Sequence, residues 1–241
     1  GFAELVRRHG HDPVKLLHDV GLPATALQNA DLYLSYPRLA ALYEHTAQVL
    51  NEPAFGLLLG QAQGLEVVGA LGAWLCQQST IGDALLGLQR NLGFHARGIQ
   101  IHSERSDSTI RLDLRLAFAN ETDCRQMMIL SLTLLERGLT DLQPSHPPPQ
   151  LVRLGMPRPS TALVRACEES FRCPVQFGGR DYSLSYPLAM LMQPVSVNQR
   201  LQARLQQHWR DDWQLAPVSI SMQVDRSISA LLPTGECSLE T

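Results

Sequence analysis

The chain's eight histidines and five cysteines are its first candidates for metal binding or nucleophilic chemistry. His9, His11 and His18 lie close together, and imidazole is a common metal ligand. An H-x-H pair on a short terminal helix points its two rings to different sides, so solvated histidines are the simpler reading. Cys76, Cys124, Cys167, Cys173 and Cys237 fall at uneven spacings with no C-x-x-C pair, which indicates neither a zinc cage nor a disulfide scaffold and fits a reducing cytoplasm. No G-x-S-x-G elbow, phosphate-cradling glycine loop or H-E-x-x-H pair is present. The acidic pairs Asp211-Asp212 and Glu168-Glu169 read as exposed helix faces. No nucleophile can be matched to a base, so no catalytic residue, metal or cofactor is expected. An α+β enzyme built from residues scattered in sequence is the alternative.

Binding chemistry is better represented. A sensing site needs an apolar hollow with a few polar groups to orient its ligand. Trp74 sits on the almost wholly apolar run G-A-L-G-A-W-L-C, where Gly69 and Gly72 admit a close neighbour, and it could face Phe94, His95 and Arg97. Tyr182 and Tyr186 share a strand face with Leu184 and carry polar tips, and Arg97 is suited to a bidentate carboxylate contact. These six are the candidate ligand-binding residues; ordinary core packing is the competing explanation for each aromatic, and an ordinary surface charge for Arg97. Arg111, Asp113, Arg115, His102 and Glu104 line the polar side of a hairpin and read as a solvated sheet face.

The elements that must position these groups follow from the hydrophobic period. Asp12 caps a short helix opened by Pro13 and closed by Gly21. Ser35 and Pro37 open a longer one carrying Leu39, Leu42, Tyr43, Thr46 and Leu50, and Thr80 caps a third with Ile81, Ala84, Leu85, Leu88 and Leu92 on one face. From Ile99 the period falls to two, giving a hairpin through Phe118 across the turn S-D-S. Asn120 is expected to cap a long helix from Glu121 to about Leu139. A strand at Leu151 to Met156, a helix capped by Ser160, and a second hairpin of Val175 to Phe177 and Tyr182 to Tyr186 about Gly178-Gly179 complete the series. This predicts an α+β fold: an N-terminal helical layer, then a mostly antiparallel sheet with helices on one face, ordered hairpin, helix, strand, helix, hairpin. A last helix, Asn198 to about Trp213, sets Leu201, Leu205, Trp209 and Trp213 in a stripe that suits dimerisation or packing on the chain's own sheet.

At 241 residues and 44% apolar content the chain can bury a full core, and no apolar run reaches membrane-spanning length. Its net charge of −3 offers no basic patch for counterion release from DNA. Beyond the Leu215 to Val218 linker, Ile220, Val224, Ile228, Leu231 and Leu232 form one helix face, P-T-G-E breaks it, and Ser238 caps a new turn S-L-E-T.

That last pattern resembles the start of the DNA-binding region of AraC/XylS-type transcription regulators. Y-P-R-L-A-A-L-Y-E-H-T-A (Tyr36 to Ala47), E-P-A-F-G-L-L-L-G (Glu52 to Gly60), G-A-L-G-A-W-L (Gly69 to Leu75) and S-T-I-G-D-A-L-L-G-L-Q-R-N-L (Ser79 to Leu92) are similar to the family's arabinose-binding-like regulatory half. The resemblance implies an effector-binding and dimerisation domain over 1–214 and, over 215–241, a linker and the first helix of a truncated helix-turn-helix domain. Every base-reading helix is then expected beyond Thr241, and Gly1, not an initiator Met, implies trimming in front as well. The implied protein is a cytoplasmic transcription activator. Its implied partners are a small-molecule effector, a second copy of itself, RNA polymerase, and DNA only through the missing domain, with no membrane. A ligand-free dimerisation module is a further alternative.

Overall fold

The computed structural model describes residues 1–28, 32, 34–96, 98–119, 123–203 and 205. The chain opens with short helices whose starts are set by local chemistry. These are α1 (Phe2–Arg8), α2 (Pro13–Asp19), α3 (Tyr36–Val49) and α4 (Phe55–Gln61). Asp12 Oδ1 accepts the Val14 N–H at 3.0 Å and satisfies one of the free amides at the start of α2. Leu5, Leu16, Leu17, Leu42, Phe55 and Leu59 from these four helices gather into a small core of their own.

Next come α5 (Gly69–Leu75) and α6 (Ile81–His95). Thr80 caps α6 as expected: its Oγ1 accepts the Asp83 N–H at 3.1 Å and its hydroxyl donates to Asp83 Oδ2 at 2.7 Å. The Gly72 reading also holds, since a Cβ there would lie 2.5 Å from the Leu65 carbonyl oxygen.

The predicted hairpin forms as β1 (Ile99–Arg105) and β2 (Thr109–Leu116), in a register running from Ile99 opposite Leu116 to Arg105 opposite Ile110. Helix α7 (Arg125–Leu142) follows. The expected cap, Asn120, lies outside the described residues, and the helix begins later than Glu121. Its early amide is satisfied from elsewhere, the Gln126 N–H donating to Glu44 Oε1 of α3 at 2.6 Å. No local capping pattern encodes that acceptor. Buried on nearly every side, α7 presents Leu130 to the small N-terminal core and Ile129, Leu132, Leu135 and Leu139 to the main one.

The rest of the sheet is β3 (Leu151–Leu154), β4 (Val175–Phe177) and β5 (Tyr182–Pro187), with α8 (Thr161–Phe171) between β3 and β4. Strand order is β1-β2-β5-β3-β4, and only the β3–β4 pairing is parallel. This is the predicted α+β class with a mostly antiparallel sheet. The final hairpin is corrected: β4 and β5 flank β3 and do not pair with each other. At the Gly178-Gly179 turn the Gly178 N–H bonds back to the Leu154 and Met156 carbonyls, so the chain passes across the end of β3 and enters on its far side.

A strap at 193–198 then ties two helix ends together. The Ile81 N–H of α6 donates to the Gln193 carbonyl at 2.9 Å, and the Ser196 N–H donates to the Leu142 carbonyl of α7 at 2.7 Å. Residues 199–203 and 205 are helical. The boundary at 214/215, Trp209, Trp213 and the expected start of a second domain lie outside the described residues.

Candidate functional site

Helices α6 and α7 lie on β1 and β2, and a gap is left where their side chains do not meet. The resulting cavity has a volume of about 120 Å³. Leu88 and Leu92 of α6, Leu135 and Leu139 of α7, and Ile99, Ile101 and Leu114 of the sheet wall it. Gly138 keeps part of it open, because a Cβ at that position would meet only Leu65 Cδ1, at 3.6 Å. Among the described residues, the lining side chains that carry nitrogen or oxygen are Tyr36, His95 and Ser131. The Ser131 hydroxyl donates to the Met127 carbonyl at 2.8 Å. His95 lies at the rim, exposed on one side, while burial of its surroundings holds its imidazole below the usual pKa. Burial also raises the Tyr36 phenol. Both groups are therefore neutral at pH 7. A larger open groove of about 440 Å³ shares Gly64 with the cavity and is walled by polar residues, among them Gln61, Arg137, Thr140 and Asn198.

The structure separates the six sequence candidates. His95 lines the cavity. Trp74 lies across Gly87 in the middle of α6, where a Cβ would be 2.1 Å from its ring. Tyr182 and Tyr186 are buried at different points along α7: Tyr182 lies near Arg125 at its start, and Tyr186 donates its hydroxyl to Glu136 in its interior. The Phe94 side chain and Arg97 lie outside the described residues. Of the proposed dimer stripe, Leu205 is 0% exposed within the chain's own core and Leu201 packs against that core. On the outer sheet face, Arg111 bonds Asp113 at 2.9 Å and Glu104 at 2.6 Å, an ion-pair network over a largely polar surface.

A second polar constellation has no counterpart in the sequence reading. Glu136, 6% exposed, accepts from Tyr186 and has His146 Nε2 and Arg172 Nη2 each 3.7 Å from its Oε1. Thr140 Oγ1 lies 3.0 Å from His146 Nε2, and His146 Nδ1 lies 2.6 Å from the Pro147 carbonyl. Burial pushes the Glu136 carboxyl up to about 7, against the opposing pull of the Tyr186 hydrogen bond and Arg172. Burial pushes the His146 imidazole down, partly offset by its bond to Pro147. These groups satisfy one another and pin α7 to β5 and to the Pro-rich loop. The available sequence signal was a glutamate set among Leu132, Leu135 and Leu139 of an otherwise apolar helix.

Comparison with known proteins follows the same lines. Residues 10–195 match the family described as the N-terminal arabinose-binding domain of AraC transcription regulators. The HTH-type transcriptional regulator VirS of Mycobacterium tuberculosis, in two strains, is 23% identical over 243 residues, which span 100% of this chain and 71% of the relative. In fold, the chain is similar to the crystal structure of the transcriptional regulator CdpR from Pseudomonas aeruginosa. The TM-score is 0.58 at 23% identity, covering 94% of this chain and 71% of that one.

Proposed function

The chain belongs to the family of N-terminal arabinose-binding domains of AraC transcription regulators, and from that premise we propose that it is the effector-sensing part of a bacterial transcription activator. In this reading a helix-turn-helix segment reads the DNA, and this chain sets how two such segments are presented to adjacent half-sites. The observation that carries the reading is the apolar cavity between α6, α7 and the sheet, open at the rim where His95 lies. A ligand there touches both helices whose ends hold the strap at 193–198. Differential binding to two arrangements of α6 and α7 then shifts the population of strap positions, and with it the segment that follows. His95 and Tyr36 orient the ligand. The complete regulator acts in the cytoplasm as a homodimer and contacts RNA polymerase at its promoter.

A thermal-shift screen of the chain against fractionated cell metabolites tests the reading. A ligand at a hundred times its Kd adds about 2.7 kcal/mol to stability. No shift from any fraction would remove the sensor and leave a ligand-free dimerisation module, whereas turnover of a fraction would indicate the α+β enzyme.

A further inference from the structure

The family's description names a pentose, yet the cavity's walls are a poor match for one. A sugar enclosed in a protein needs a partner for each hydroxyl, because a buried hydroxyl without a hydrogen bond is strongly disfavoured. Among the described residues the cavity offers three polar side chains, Tyr36, His95 and Ser131, and the Ser131 proton is committed to the Met127 carbonyl. The remaining walls are aliphatic side chains and glycine. Among the described residues, no Asp, Glu, Lys, Arg, Asn or Gln lines it. A pentose would therefore leave the oxygens turned toward the aliphatic walls unpaired.

Taking the sensor reading as its basis, we infer that this cavity binds a small, uncharged, mainly hydrocarbon ligand: a ring or branched chain with one polar group turned toward His95 and Tyr36. Size agrees with that chemistry. The hollow is about 120 Å³, and a dry apolar cavity of roughly 150 Å³ accepts benzene. Charge is disfavoured on the same grounds, since none of the described lining residues supplies a countercharge. The polar group belongs at the rim, where His95 is reached by solvent and can either donate or accept.

The probes are benzene, phenol, cyclohexanol, benzoate and L-arabinose, each titrated against the chain by calorimetry and by thermal shift. Phenol and cyclohexanol are expected to bind most tightly, benzene more weakly, and benzoate and arabinose not measurably. Along a series of short straight-chain alcohols, affinity should rise about fourfold per methylene until the hollow is full. Gly138→Leu places a side chain in the hollow and should abolish binding. Ala84→Leu does the same from the facing helix and serves if the first variant fails to fold. Saturable binding of L-arabinose, lost in the filled variants, with none of the apolar probes bound, would overturn the inference while leaving the sensor intact. Failure of both probe classes, together with a shift from a polar metabolite fraction, would overturn it equally. A blank from every probe and every fraction would count against the sensor itself.

Discussion

Glu136 shows how a single side chain sets a dependence that composition hides. Its carboxyl is pushed up to about 7 by burial, above the range it has in the unfolded chain, so the fold favours its protonated form. The sign follows from linkage: stability is fully present in acid and is lost as pH rises from the unfolded value of about 4.5 to about 7. The loss is on the order of 3 kcal/mol. His146 acts in the opposite direction. Its pKa is lowered, so its contribution is lost as pH falls below about 6.5. Glu136→Gln keeps an acceptor for Tyr186 and removes the titration. Urea unfolding at pH 5 and pH 8 should show the variant gaining on the parent by roughly 2 kcal/mol at the higher pH. An equal difference at both values would show that Glu136 does not titrate in this range.

At the scale of elements, two glycines facing α7 and within it have opposite roles. A Cβ at Gly56 of α4 would lie 2.2 Å from the Gln126 carbonyl oxygen, a backbone atom that cannot move aside. Gly56→Ala should therefore cost about 1–3 kcal/mol in thermal or urea unfolding. Gly138, inside α7, meets only Leu65 Cδ1 at 3.6 Å, so Gly138→Ala should stabilise by roughly 1 kcal/mol through helix propensity alone. Equal effects at the two positions would contradict the packing described.

What the sequence revealed divides along the same physical line. Helices with sequence-local caps, Asp12 for α2 and Thr80 for α6, were legible, as was the first hairpin, whose strands are joined by a tight turn. The start of α7 was not, because Glu44 reaches it from α3, and neither was the insertion of β5 between β2 and β3. The cavity was legible only in outline. An apolar gap between α6, α7 and the sheet is fixed by which side chains fail to meet, and aromatic residues such as Trp74 and Tyr186 find partners in Gly87 and Glu136 instead.

For the whole molecule, the proposed function, consistent with the net charge of −3, assigns this chain the control of DNA binding and assigns the binding itself to a helix-turn-helix segment. Gel shifts with this chain alone should show no sequence-specific complex, and a regulator carrying it together with a helix-turn-helix segment should show one. A specific complex from the chain alone would contradict that division of labour. The central claim is that occupancy of the cavity between α6, α7 and the sheet changes how DNA is bound. Its most direct test is the promoter affinity of such a regulator, titrated with and without a cavity ligand in the parent and in the Gly138→Leu variant. The account predicts a ligand-dependent change in affinity of about five- to a hundredfold in the parent and none in the filled variant; the same ligand response in both would contradict it.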